Sequence, residues 1–141
     1  MNTINLTEKT QSGLSFADFD TVIDGKKVSL FRLTNRNGAE ICITNVSLMV
    51  PDRNGKMIDV VLGHSTIDGY LHSPEKYLGA LIGRYGNRIG KCRFTLDGKE
   101  YTIASNNPDC ALHGGIKGYN EVVWEARQSD TQTLHLTYLS P

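Results

Sequence analysis

Residues 93–103 read "RFTLDGKEYTI", two short runs of alternating apolar and polar residues on either side of an Asp-Gly pair. Asp97-Gly98 is the composition of a two-residue mirror-image turn, in which both central residues take positive φ and the flanking strands keep their natural twist. Counting outward from the turn sets Leu96 opposite Lys99 and Phe94 opposite Tyr101. A cross-strand aromatic pair contributes a few tenths to ~1 kcal/mol. The stretch predicts a β-hairpin and, with it, antiparallel β structure.

The same punctuation recurs at Asp24-Gly25, Asn37-Gly38, Asn54-Gly55 and Asp68-Gly69. Apolar residues near these pairs alternate, as in Val28/Leu30, Ile41/Ile43 and Val46/Leu48/Val50, and again in Leu134/Leu136/Tyr138. That is the period of a strand and not of a helix. The best helix candidate is short, "SPEKYLGA" at 73–80, where Ser73 is placed as N-cap, Pro74 as first helical residue and Glu75 at the positive end of the dipole. No linker, repeat or low-complexity segment divides residues 1–141, so one domain, or part of one, is expected with no internal boundary. The last strand pattern, Leu134–Leu139, needs a neighbour on each side or stands as an open edge, a route to self-association.

A chain of 141 residues is long enough to bury one core. Fifteen basic and 15 acidic side chains cancel and are interleaved, which leaves no electrostatic footprint for nucleic acid. No apolar run reaches membrane-spanning length, and the opening "MNTINLTEKTQSG" lacks the basic start and apolar stretch of a secretory signal. A cytoplasmic protein without membrane partners is expected. Cys42, Cys92 and Cys110 are odd in number and form no C-x-x-C pair, which argues for reduced, semi-buried thiols and against a disulfide framework or zinc site.

Candidate chemistry gathers in two places. In "GALIGRYGNRIGKCRF" (79–94), four glycines surround Arg84, Asn87 and Arg88. The segment lacks the G-K-[ST] ending of a phosphate loop and the setting of a dinucleotide fingerprint. Planar polar side chains of fixed orientation suit a polyol, whose hydroxyls both donate and accept. A blander reading is equally open to these residues: Arg84 paired with a carboxylate, Asn87 satisfying a turn. In "ALHGG" (111–115), His113 stands before two glycines, where an imidazole in an irregular turn can be partly exposed with its tautomer defined by a partner on one ring nitrogen. His64, His72 and His135 show no ligand spacing, and Trp124 in "VVWEA" suits a core better than a sugar platform.

Taken in order, "GRYGNRI", "FTLDGKEY", "NNPDCALHGG" and "KGYNEVVWEA", preceded by "VPDRNGKMIDVVLGHSTIDGYL", closely resemble the N-terminal portion of the aldose 1-epimerases, the galactose mutarotases. The resemblance covers nearly everything after about Phe16. It implies an all-β fold, an antiparallel β-sandwich of the galactose mutarotase type, of which this sequence carries the N-terminal part. It implies interconversion of the α and β anomers of aldohexoses such as galactose and glucose, with no cofactor. A base takes the proton of the C1 hydroxyl and an acid delivers one to the ring oxygen. Asn87 and Arg88 match the family's substrate-contacting Asn-Arg pair, and His113 matches the histidine that bonds the sugar close to its ring oxygen, a binding and catalytic role. Arg84 is expected in a structural ion pair. The family's general acid histidine and general base glutamate belong to a part not matched here, and Glu100, Glu121 and Glu125 match positions without a catalytic role. A few residues usual in the family between "ICITN" and "VSLMVPD" are missing where Asn45 meets Val46, which bears on the first strand pair. A non-catalytic carbohydrate-binding β module and an inactive fragment are the alternatives.

Overall fold

The computed structural model describes residues 5–44 and 47–141 of the chain. The Asn45–Val46 junction, where the family's extra residues were expected, lies outside them. In chain order the strands are β1 (Thr21–Ile23), β2 (Lys26–Val28), β3 (Phe31–Thr34), β4 (Glu40–Ile43), β5 (Ser47–Pro51) and β6 (Met57–Asp59), then helix α1 (Ile67–Leu71). They continue as β7 (Arg88–Gly90), β8 (Arg93–Leu96), β9 (Lys99–Thr102), β10 (Cys110–Leu112), β11 (Glu125–Gln128) and β12 (Leu134–Thr137). Every named pairing is antiparallel. The backbone clusters into two compact units, one running to Gly79 and resuming at Val123–Pro141, the other Ala80–Val122.

In the first unit, four strands form a meander in the order β3-β4-β5-β6. Its β3–β4 and β5–β6 turns are the ones that Asn37-Gly38 and Asn54-Gly55 marked. Asn35 Oδ1 accepts from the amides of Asn37 and Ala39, and Asp52 Oδ1 from those of Asn54 and Lys56, so each short polar side chain folds its own loop. Asp24-Gly25 joins β1 to β2 with φ of 50° and 73°, the mirror-image geometry that glycine allows. The β11/β12 hairpin joins the free side of β3 through the Thr34 amide, which donates to Thr131 O at 2.7 Å, and Gln128 Nε2, which donates to Arg32 O at 3.1 Å.

The sheet buries an unexpected face. The core consists of Leu14, Phe16, Phe19, Leu30 and Cys42, with Ile67 and Tyr70 packed against it. On β4 it is Glu40 and Cys42 that are buried, and on β5 Ser47 and Met49. The alternating Ile41/Ile43 and Leu48/Val50 lie on the other face, half-buried. Glu40 is tolerated inside because its carboxylate accepts from the Gln11 amide at 2.8 Å and from the Cys42 thiol at 3.7 Å. Burial, and then the adjacent Glu40 carboxylate, push the Cys42 thiol up to about 12. Among the three cysteines, Cys42 and Cys110 are buried and Cys92 is half-buried. Trp124 is half-buried against Tyr138, ring centroids 5.5 Å apart.

The helix is displaced from its expected place. Residues 73–80 make a turn: Ser73 Oγ accepts from the Glu75 amide and Glu75 Oε1 from the Tyr77 amide, both at 3.1 Å, and these local bonds take up amides that would begin a helix. The helix instead occupies Ile67–Leu71, capped by Thr66 Oγ1, which accepts from the Gly69 amide at 3.1 Å. Asp68-Gly69 is therefore a helical pair and not a hairpin turn. Gly69 is there for contact: a Cβ on it would fall 2.8 Å from His64 Cβ.

In the second unit the opening hairpin forms as predicted. Asp97 and Gly98 have φ of 50° and 75°, Leu96 faces Lys99, and Phe94 faces Tyr101. The two rings stack with centroids 5.5 Å apart and planes inclined by 16°. Beside this hairpin, β7 pairs with β10 through Arg88↔Leu112, Ile89↔Ala111 and Gly90↔Cys110.

Candidate functional site

The β7/β10 pair brings together the three residues singled out for chemistry. Extending its register by one position sets Asn87, just before β7, opposite His113, just after β10. Two hydrogen bonds join them, both 3.0 Å. The His113 amide donates to Asn87 O, and the Asn87 amide donates to Nδ1 of the His113 ring. An imidazole nitrogen has replaced the carbonyl that an ordinary ladder would offer.

That exchange decides the tautomer. Nδ1 accepts a hydrogen bond, so the neutral ring carries its proton on Nε2 and presents Nε2–H as a donor. The backbone makes this arrangement by leaving strand geometry on both sides: φ is 59° at Asn87 and 51° at His113. Asparagine and histidine are among the residues that accept the left-handed region most readily. The turn over His113 closes with the Gly115 amide donating to Leu112 O at 3.0 Å. Gly114, at φ 101°, is required for contact as well as conformation, because a Cβ there would lie 1.8 Å from Gly83 O.

Consecutive residues in a strand point to opposite faces. Asn87 is out of strand geometry, and its side chain stays within reach of Arg88, whose Nη1 donates to Asn87 Oδ1 at 3.3 Å. Asn87 and Arg88 are exposed, whereas His113 is half-buried. Two exposed planar groups rich in donors, together with one oriented imidazole, suit a small neutral ligand bearing many hydroxyls. Arg84 is exposed in the segment leading to β7. Among the described residues, no group of three or more His, Cys, Asp or Glu is placed to hold a metal ion. No helix of the described residues is long and apolar enough to cross a membrane.

Two side chains around the site escaped the sequence reading. Asn106 Nδ2 donates to Leu112 O and Gly115 O at 2.9 and 2.8 Å, and its Oδ1 accepts from the Leu112 amide at 2.7 Å. Tyr85 brings its hydroxyl against the same turn, 3.4 Å from where a Cβ on Gly115 would stand. The available signal for Asn106 was its place in "NNPDC", a cluster of turn residues before a proline. Such a cluster predicts a turn but not which distant backbone groups the amide will meet.

A family model described as aldose 1-epimerase matches residues 29–141, most of the chain. The chain belongs to the aldose 1-epimerase family. Within that family it is 51% identical over 84 residues to a galactose mutarotase of Bos taurus, a match covering 60% of this chain and 24% of the relative. With an aldose 1-epimerase of Escherichia coli K12 it shares 32% identity over 117 residues, 79% of this chain and 34% of the relative. Among solved structures, a GalM/aldose epimerase homologue from C. elegans superposes with a TM-score of 0.66 at 30% identity, covering 76% of this chain and 34% of that one. The chain thus spans about a quarter to a third of the length of these family members. Its all-β antiparallel class is the one expected, and the fold is that of an aldose epimerase.

Proposed function

We propose that the Asn87–Arg88–His113 cluster holds an aldohexose, and that the aldose 1-epimerase domain to which this chain contributes interconverts its α and β anomers. The observation that carries the reading is the bond from the Asn87 amide to His113 Nδ1 at 3.0 Å, which commits the ring to donating from Nε2. Ring opening needs a proton removed from the C1 hydroxyl and one delivered to the ring oxygen. A donor fixed beside that oxygen stabilises the charge that develops there as the C1–O bond breaks. Asn87 and Arg88 orient the ring through its hydroxyls. On this reading residues 1–141 are the N-terminal part of a single sandwich domain in a cytoplasmic enzyme, no cofactor takes part, and the acid–base pair lies outside these residues.

The test uses the chain itself. Ligand-observed NMR with D-galactose and D-glucose is expected to detect weak, millimolar-range binding, reduced in Asn87→Ala and Arg88→Ala. Binding that neither substitution weakens, or no binding at high sugar concentration, would overturn the site assignment. Polarimetry on freshly dissolved α-D-galactose should show no acceleration over a buffer blank. Acceleration proportional to protein concentration would mean that an acid–base pair lies within these residues.

A further inference from the structure

We propose that Asn106 is the positioning residue of this site: its carboxamide locks the turn that holds His113 in the Nε2–H tautomer. The proposal rests on the reading of His113 as a sugar contact. Asn106 spans the turn on both sides of the histidine, bonding Leu112 through its carbonyl and its amide and Gly115 through its carbonyl. His113 and Gly114 between them have φ of 51° and 101°. Histidine accepts the left-handed region, but the central positions of a mirror-image turn favour glycine, asparagine and aspartate over it. A clamp from outside the turn adds what the histidine itself supplies less strongly.

Only a carboxamide offers two donor hydrogens and an acceptor on one planar group. Asn106 uses both kinds, two donations and one acceptance, on three backbone groups within four residues. Its own position is set by the tight segment that follows: the Cys110 amide donates to Asn107 O at 3.2 Å, and Ser105 Oγ donates to Asn107 O at 2.7 Å. Release of the turn lets His113 leave the left-handed region, and the ring then loses the Asn87 amide that selects its tautomer. Asn106 therefore acts on the sugar through His113 and not by touching it.

The experiment is ring-nitrogen NMR of the chain carrying 15N-labelled histidine, at neutral pH, on wild type, Asn106→Asp and Asn106→Ala. In wild type, His113 should show one tautomer, with Nδ1 unprotonated and Nε2 protonated. Asn106→Asp is nearly isosteric but supplies no donor to the Leu112 and Gly115 carbonyls, and is expected to show averaged ring-nitrogen signals while the ring signals of the stacked Phe94 and Tyr101 in the same unit stay native. Either variant keeping the wild-type tautomer overturns the proposal. Should both variants fail to fold, wild type alone decides: the Leu112 amide and the Asn106 side-chain amide should be protected from hydrogen exchange, and fast exchange at both refutes the clamp. Sugar affinity supplies the second readout. In a His113→Asn background, Asn106→Asp should cause no additional loss, because both act through one contact, whereas additive losses would assign Asn106 a separate role. If the tautomer shifts in the variants while wild type binds no sugar, the clamp stands and the sugar reading fails.

Discussion

Replacing His113 separates the two jobs of its ring. Asparagine at 113 has Oδ1 close to the place of imidazole Nδ1 and nothing in the place of Nε2, and it accepts a φ of 51° at least as readily as histidine does. His113→Asn therefore keeps an acceptor for the Asn87 amide and removes the donor offered to the sugar. His113→Ala removes both and leaves a β-carbon in the left-handed region. The lost hydrogen bond is worth ~0.5–1.5 kcal/mol, and the left-handed backbone cancels from the comparison because histidine already carries a β-carbon there. In urea unfolding, His113→Ala should be destabilised by about 0.5–1.5 kcal/mol and His113→Asn by less than ~0.5 kcal/mol, a surface-like change. In a galactose titration followed by ligand-observed NMR, both variants should lose the Nε2–H contact, about 2- to 12-fold in affinity for one neutral hydrogen bond. Equal destabilisation of the two variants would refute the Nδ1 assignment. Wild-type affinity in His113→Asn would refute Nε2 as the donor.

Two further outcomes follow from the packing. The Cys42 thiol is raised from 9.0 to about 12 by burial and the neighbouring Glu40, so the folded state holds this proton more tightly than the unfolded chain. The stability this contributes is complete below pH 9 and is lost as pH rises toward 12, at ~1.4 kcal/mol per pH unit. Urea unfolding of Cys42→Ala should decline less steeply than wild type between pH 9 and 11, and parallel slopes would count against the linkage. The stacked Phe94 and Tyr101 rings should show a coupling of ~0.5–1 kcal/mol in a double-mutant cycle to alanine, measured by thermal unfolding. Strict additivity would mean that the hairpin is held by its turn alone.

Several features were legible before any coordinates because they depend on a few neighbouring bonds. Asp97-Gly98 and Asp24-Gly25 are hairpin turns because their residues take positive φ at small cost, and the register of Phe94 on Tyr101 follows by counting from the turn. The order of motifs around Asn87, Arg88 and His113 marked the family. Other features hung on choices that local pattern leaves level. Ser73-Pro74-Glu75 reads as a helix start, yet the helix forms at Ile67–Leu71, where Ile67 and Tyr70 pack against the core. Both faces of β4 and β5 carry residues able to enter a core, yet the face bearing Glu40, Cys42, Ser47 and Met49 is the one buried. The Gln11 amide, remote in sequence, satisfies the Glu40 carboxylate on that face.

The site divides the same way. By itself the sequence determined which side chains stand there, an amide, a guanidinium and an imidazole beside two glycines, because those identities are written in the motif. Only the tertiary structure decided which nitrogen of His113 carries the proton and which distant amide holds its turn. Those depend on the pairing of β7 with β10 and on Asn106 reaching Leu112 and Gly115, contacts between segments that no local preference of the chain specifies.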